Sequence, residues 1–259
     1  MTITTPAFVA LLLKQDAFFD FMMAGKKGMK MPRGDKKAIP AYPFSLPPIV
    51  TQKQVVDACS AVDAECAKAD EKIARGVERI ASIMAKVQGK RKPLESLLVK
   101  VSGKTTKIPE GNIRETGSTP VVTQEKDRLV AGFTETAEPI SDVPLVLFGD
   151  HSCAVKYIDF PFVRGADGTQ LLKTDSSILL PRFLCEFLKT VKLEHEGKYE
   201  RHFKYLKTVP VPVPPLSEQE KIVAAVEAEE KAIAKARSVL ADATARKRAI
   251  LSEHGILQG

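Results

Sequence analysis

Pro214-Pro215-Leu216-Ser217-Glu218-Gln219-Glu220-Lys221-Ile222-Val223 is the stretch that decides the fold, because a version of it occurs twice. The earlier version is Pro47-Pro48-Ile49-Val50-Thr51-Gln52-Lys53-Gln54-Val55-Val56. Each places a double proline, one aliphatic residue, a polar helix start and a glutamine ahead of an aliphatic pair. Proline lacks a backbone donor and disfavours helix in the residue before it, so each pair closes an extended segment. A helix is expected to open next. Ser217 is positioned to cap the later one with Glu220 completing a capping box, and Thr51 or Val50 holds the matching place in the earlier one. The likeness continues upstream in looser form. Lys37-Ala38-Ile39-Pro40 resembles Lys207-Thr208-Val209-Pro210. Phe8 to Phe21 and Phe183 to Leu193 are both short apolar helical patterns, each followed by a glycine and basic residues (Gly28, Lys30 and Arg33; Gly197, Lys198 and Arg201). Such self-similarity marks two copies of one structural unit.

Beyond each double proline lies a long helical pattern. From Thr51 to about Gln88 there is no proline, and apolar or small residues recur at Val55, Cys59, Val62, Cys66, Ala69, Ile73, Gly76, Ile80, Ile83 and Val87. The alternating spacing of four and three is a heptad seam. At 1.5 Å per residue the helix is on the order of 55 Å long. The second, Ser217 to about His254, carries Ile222, Val226, Ile233, Ala236, Leu240, Ala243 and Ile250, with Glu229 and Lys247 interrupting the register. Neither stripe can be buried alone, so antiparallel pairing is expected, within the chain or with another copy.

Between the helices the texture changes. Short β-type runs occur at Leu97–Val101, Pro120–Thr123, Leu129–Gly132, Leu145–Phe148 and Ala154–Ile158, separated by turn signals at Ser102-Gly103-Lys104, Glu110-Gly111-Asn112 and Ala166-Asp167-Gly168. A short helix from about Arg182 to Leu193 follows Pro181. The fold class is therefore α+β: one globular mixed α/β unit plus two long antiparallel coiled-coil helices. The middle holds no Gly-rich phosphate loop, no G-x-S-x-G, no H-E-x-x-H and no methyltransferase tetrapeptide. Asp150-His151 is read as a loop feature, so no catalytic site is expected. Lysines, arginines and hydroxyls instead gather in the predicted loops: Lys104, Thr105, Thr106, Lys107, Arg114, Thr123, Gln124, Lys198, Tyr199, Arg201 and Lys204, with His151 close by in sequence to two of the strands. Such side chains suit phosphate contacts, and Gln, Arg and His can read base edges.

Bulk composition agrees. The 259 residues carry a net charge of +7, 44% hydrophobic and 27% charged residues. A basic balance favours an anionic partner. No apolar run reaches the roughly 18 residues of a bilayer span, and the apolar stretch from Phe8 lacks the flanks of a signal peptide, so a cytoplasmic protein without membrane association is expected. The four cysteines form no C-x-x-C pair, which predicts buried thiols and no metal site.

The repeated element resembles that of specificity (S) subunits of type I restriction-modification systems, in which a target-recognition domain is followed by a Pro-Pro-Leu-x-Glu-Gln helix start, twice over. Pro214 to Gln219 reproduces it, and Pro47 to Gln52 departs at the glutamate. Leu94, Gly103-Lys104, Thr119-Pro120 and Leu145 to Gly149 match the recognition domain loosely. The resemblance implies a half-sized S subunit: residues 1–46 as the tail of a recognition domain, 47–89 a spacer helix, 90–213 a complete recognition domain and 214–259 a second spacer helix. It implies double-stranded DNA as ligand, and methyltransferase and motor-nuclease subunits as partners. It also implies a homodimer or pairing with another half-subunit. The chain itself would be non-catalytic and hold no cofactor. Two rival readings are a recognition module of a single-chain restriction-methylation enzyme and a coiled-coil adaptor that binds no DNA.

Overall fold

The computed structural model describes residues 3–24, 34, 36–165, 168–193 and 200–256. In chain order these form helices α1 (Pro6–Leu12) and α2 (Asp16–Ala24), a 3-10 turn (Lys36–Ala41) and the long helix α3 (Ile49–Ala85). Strands β1 (Lys90–Pro93), β2 (Leu98–Val99), β3 (Lys107–Ile108), β4 (Thr119–Val122), β5 (Gly132–Thr134), β6 (Leu145–Gly149), β7 (Val155–Ile158), β8 (Val163–Gly165) and β9 (Thr169–Thr174) follow. Helices α4 (Pro181–Thr190) and α5 (Phe203–Leu206), strand β10 (Pro210–Val213) and the long helix α6 (Leu216–Glu253) complete the chain. Two compact units result, Met1–Gly76 with Lys231–Gly259, and Val77–Glu230. Both long helices contribute to both units.

The unit Val77–Glu230 is the α+β part. Its strands form an antiparallel sheet β2-β9-β6-β7, a mixed sheet β3-β8-β4-β5 with β8 parallel to both neighbours, and the ribbon β1-β10. The run Leu145-Val146-Leu147-Phe148 is buried on both faces, which is why it shows no polar alternation. Val146 and Phe148 join Leu172 and the α4 residues Phe183, Leu184 and Leu188 in one core. Leu145 and Leu147 join Val122, Ile140, Ile158 and Phe162 in another. The ribbon β1-β10 brings the entry and exit of the sheet region side by side, from Lys90 opposite Val213 to Pro93 opposite Pro210. Gly89 just before it has φ +151, and a Cβ there would sit 2.9 Å from the Pro214 nitrogen, so only glycine fits.

The repeat has a physical core that the sequence pattern only hints at: its two glutamines are fully buried. Gln219 Nε2 donates to the carbonyls of Pro214 (2.8 Å) and Ile178 (2.9 Å), and its Oε1 accepts the Leu180 N–H (2.8 Å). Gln52 Nε2 donates to the carbonyls of Pro47 and Ile3 (both 2.9 Å), and its Oε1 accepts the Thr5 N–H (3.3 Å). Each amide thus ties the first turn of a long helix to the three residues that lead directly into a proline-started helix, 178–180 before α4 for Gln219 and 3–5 before α1 for Gln52. Phe8 of α1 therefore corresponds to Phe183 of α4, and both are fully buried.

Within each unit α3 and α6 run antiparallel. Val55 and Cys59 meet Leu251 and Ile256 around Phe8 and Leu12, while Met84 and Val87 share a core with Val226. Of the seam positions expected to pack, Val55, Cys59, Val62, Val226 and Ile233 are buried, and Cys66, Ile73, Ile80, Ile222, Leu240 and Ile250 are half-buried. Near the end of α6 the deepest residue is Leu251, because α1 and Ile256 close over it. The two polar interruptions of the seam carry cross-helix ion pairs: Glu229 with Arg79 at 2.9 Å, and Lys247 with Asp63. A second network fastens α4 to α6. Arg182 bonds Glu230, lies 3.3 Å from Glu186 and 3.9 Å from Glu227, and stacks 5.2 Å from the Tyr157 ring centre. Burial alone would lower its pKa, but the surrounding carboxylates outweigh that and raise it. All four cysteines are free, and burial pushes the Cys185 thiol up to about 12.

Several local expectations are corrected. The capping box at Ser217 and Glu220 does not form: α6 starts at Leu216, with the Pro215 carbonyl taking the N–H groups of Glu218 (2.9 Å) and Gln219 (3.1 Å). In the earlier copy the Pro48 carbonyl likewise takes the Gln52 N–H, so neither Val50 nor Thr51 caps α3. Pro215 and Pro48 thus occupy the N-cap positions, where their carbonyls accept the first intrahelical bonds and their side chains offer no capping oxygen. Phe8 to Phe21 is broken into α1 and α2. Leu129 lies in a loop ahead of β5, and Leu97–Val101 shortens to β2 after a 3-10 turn. Strands β1, β3, β8 and β10 escaped the pattern because they are short, charged or proline-bearing, and β9 because its adjacent Leu171 and Leu172 break the alternation.

Replacing Gln219 by Ala strands the Leu180 N–H and two carbonyls in a buried site. It should cost about 2–4 kcal/mol in urea denaturation, whereas Ser217→Ala should stay within about 0.5 kcal/mol. Equal losses for the two variants would return the cap to Ser217.

Candidate nucleic-acid interface

The sequence-predicted loop residues separate into three groups. The best-built one surrounds the end of β4. Thr123 and Gln124 leave the strand and are gripped by glycines whose missing side chains make room. A Cβ on Gly165 would lie 2.8 Å from Thr123 Cγ2, one on Gly149 2.8 Å from Gln124 Cβ, and one on Gly168 2.8 Å from Gln124 Oε1 and 2.7 Å from His151 Cδ2. These close approaches give all three glycines a packing reason beyond the turn signal read at Gly168, and give Gly165 its first.

His151 stands in the tight turn joining β6 to β7. The Gly149 carbonyl accepts the Cys153 N–H at 2.8 Å, and Cys153 takes φ 57 to close the turn. A non-glycine residue there costs about 1 kcal/mol or more, which the surrounding bonds must hold in place. The His151 N–H donates to Gln124 Oε1 (3.2 Å), Ser152 Oγ donates to the Gln124 carbonyl (2.6 Å), and His151 Nδ1 lies 3.2 Å from the Glu200 carbonyl. Asp150, buried beneath, accepts the Phe203 N–H (2.7 Å) on one carboxylate oxygen and Gln170 Nε2 (3.3 Å) on the other. Its backbone carbonyl takes the His202 N–H at 2.8 Å. Asp150 thereby pins the segment 200–206 to the sheet, and with it Arg201 and Lys204. Arg201 is exposed, and Lys204 pairs with Glu200 at 3.1 Å. Lys198 and Tyr199 lie outside the described residues.

The second group is the loop from Lys104 to Lys107. Lys104 is exposed and paired with Glu138 at 2.8 Å. The Thr105 carbonyl accepts from Arg164 Nε (3.2 Å), Thr106 is exposed, and Lys107 pairs in register with Arg164 across β3 and β8. The root of this loop is fixed by Asp142, which accepts the Ser102 N–H (2.8 Å) and hydroxyl (2.7 Å) and lies 2.7 Å from Lys173 Nζ. Lys173 first, then the two bonds from Ser102, hold the Asp142 carboxyl down at about 2. Arg114 stands apart: its backbone exchanges bonds with Phe133, and its side chain is exposed. Its neighbour Ile113 nonetheless lines, with Glu110, Thr123, Gln124, Glu125, Arg128, Ala131 and Gly165, a cavity of about 390 Å³.

Chemically the arrangement presents hydrogen-bonding side chains on braced backbone, flanked by cations. Gln124 accepts the His151 N–H on its oxygen, and no described residue takes its amide donors. No cluster of His, Cys, Asp or Glu among the described residues could hold a metal ion, and no described helix is long and apolar enough to cross a membrane. Residues missed from sequence are Asp150, Ser152 and Arg164. Only Asp150, beside a histidine after an apolar strand, carried any signal.

The fold is that of type I restriction-modification S subunits. It resembles the crystal structure of the S subunit from M. genitalium with a TM-score of 0.62 at 15% identity, over 95% of this chain and 71% of that one. A structure described under the complex assembly and conformational transition of the type I R-M system matches with a TM-score of 0.52 at 18% identity, over 97% and 71%. The HsdS subunit from Thermoanaerobacter tengcongensis matches with a TM-score of 0.47 at 18% identity, over 96% and 69%. No protein-family model and no curated protein matches the chain.

Because the folded pKa of Asp142 lies below the ordinary 3.8, its stabilisation is complete above pH 4 or so and is lost as pH falls toward about 2. Asp142→Asn should therefore cost about 1–2 kcal/mol at neutral pH. The gap between variant and wild type should close on acidification in urea melts; a gap that persists at pH 2 would refute the assignment.

Proposed function

We propose that this chain is a DNA-specificity subunit of a type I restriction-modification system, non-catalytic, reading DNA through the unit Val77–Glu230. The observation that carries the reading is the duplicated helix start, a double proline with a buried glutamine clamp, in a fold shared with S subunits. The same two clamps account for why the chain has two long helices and why a proline-started helix docks at each.

In this reading Gln124, Thr123 and His151 face base edges, where a donor amide suits the N7 and O6 acceptors of purines. Lys107, Arg114 and Arg201, exposed and without a carboxylate contact among the described residues, take phosphates. Lys104 and Lys204 exchange their surface ion pairs for phosphate at little cost, since such pairs contribute little. Lys198 and Tyr199 belong to the same set on sequence grounds. The paired helices act as spacer and as dock for methyltransferase subunits, and a motor-nuclease subunit joins through these. A helical spacer fixes separation better than a flexible linker, and two readers gain avidity only on half-sites of matching spacing. The bipartite target is completed by a second copy or by another half-subunit. Methyl transfer and translocation, with S-adenosylmethionine and ATP, belong to the partners, and the protein acts in the cytoplasm.

Methylome sequencing of cells with and without the gene tests this. One two-part methylated motif should vanish on deletion and return on complementation, and exchanging residues 90–213 for those of another S subunit should change half of that motif. A methylome unaffected by deletion would remove the proposal. In vitro, duplex binding should be weak for the chain alone, tighten with the methyltransferase, and fall about a hundredfold or more between 50 and 200 mM salt.

A further inference from the structure

Among the described residues two arginines are not exposed, and they are treated very differently. Arg182 has Glu186, Glu227 and Glu230 around it. Arg164, on β8, has no carboxylate contact among the described residues. Its Nε donates to the Thr105 carbonyl and its Nη1 to the Thr169 carbonyl, both at 3.2 Å. Among the described residues nothing bonds its Nη2 amino group. Burial lowers its pKa, with no opposing charge to raise it. A half-buried cation held only by neutral carbonyls has its charge left uncompensated by the fold. The arginine earns no compensation from within the described protein, so its charge is available to an anion from outside.

The surroundings fit such an anion. Arg164 is the register partner of Lys107 on β3, and it bridges the loop 104–107 to the start of β9. Its neighbour Gly165 packs against Thr123, and Gly168 packs against Gln124 and His151. A charge at this point lies between the basic loop and the braced polar residues, where a backbone contact would set the register of base reading.

We propose that Arg164 is a phosphate-contacting residue for the DNA backbone, anchoring the strand beside the Thr123–Gln124 loop. This rests on the DNA-reading proposal above. The guanidinium fork is already oriented by its two carbonyl bonds, so its remaining N–H groups meet a phosphate oxygen with little loss of side-chain freedom. The contact positions the duplex and carries no sequence preference of its own.

The test measures binding of the full chain, with its methyltransferase partner where required, to a random-sequence duplex and to the target duplex across a salt series. Arg164→Gln should weaken both by about tenfold at low salt. It should also reduce the slope of log affinity against log salt by about 0.9. Arg164→Lys should keep the slope while losing part of the affinity. Melting temperature should stay within about 2 °C for both variants. An unchanged slope for Arg164→Gln with wild-type binding intact would show that Arg164 merely ties β8 to its neighbours. Loss of folding in Arg164→Gln would say the same, and either result overturns this proposal alone. A wild-type chain that shows no salt-dependent duplex binding overturns the DNA-reading proposal, and this one with it.

Discussion

A primary amide buried away from water must have its donors and acceptor answered, and the fold depends on where Gln52 and Gln219 find those answers. Each takes two carbonyls and one N–H from backbone that no sheet or helix would otherwise satisfy. The carbonyl five residues before the glutamine belongs to a proline, so the helix start bends back on its own lead-in. The other two groups come from a distant segment, so the amide also fixes tertiary contact. Asparagine would be too short to span both, and glutamate would bring acceptors to two carbonyls. One residue type thus sets helix origin, lead-in geometry and docking of the neighbouring helix together.

The two copies share this clamp but differ at its periphery. By the clamp's alignment, Ala7 stands where Arg182 does, Leu11 where Glu186 does, Ser60 where Glu227 does and Asp63 where Glu230 does. In one copy the arginine's long side chain fills the space between its own helix and the long helix and satisfies the carboxylates. In the other the alanine leaves a cavity of about 420 Å³ lined by Ala7, Ala10, Leu11, Ser60, Asp63 and Lys247, and Asp63 draws its cation from α6 instead. The acid is thus matched in both copies, while the source of the cation changes. What differs is whether a sheet lies behind: Tyr157 on β7 backs Arg182, and α1 has no such strand within its unit.

This contrast explains what was legible in the sequence. The double prolines, the long helices and the strand Leu145–Gly149 were readable because proline chemistry, heptad spacing and full burial leave strong local marks. The cap was misread because Ser217 and Glu220 fit a rule for helix starts, whereas α6 begins at Leu216 and leaves Ser217 inside its first turn, with Pro215 at the N-cap. Strands such as β1 and β10 were invisible because Lys90-Arg91-Lys92-Pro93 and Pro210-Val211-Pro212-Val213 have no strand-like composition, and only their mutual pairing makes them strands. Lys104, Thr123, Gln124 and His151 could be singled out by residue type. That Gln124 and His151 bond each other while Lys104 stands beside a different loop depends on strand order, which crosses between β4, β8 and β9 in a way that no local pattern records.

The same crossing order bears on how such a unit can hold a precise surface on short strands. None of β3, β5 and β8 is longer than three residues, too short to be rigid through ladder bonds alone. Rigidity comes from side chains that reach across: Asp150 to the 200–206 segment, Lys156 to the carbonyl of Arg128 (2.7 Å), Asp142 to Ser102, and Thr169 Oγ1 to the Gly165 carbonyl (2.9 Å). Each of these polar groups binds main chain in its target segment, and Asp142 and Asp150 also take side-chain donors, from Ser102 and Lys173 and from Gln170. The loop backbones are therefore held largely by buried and half-buried residues, while outward side chains such as Thr106, Lys107 and Arg114 carry little of that load. A surface organised in this way tolerates substitution at such exposed positions without disturbing the bonds that hold the loops in place.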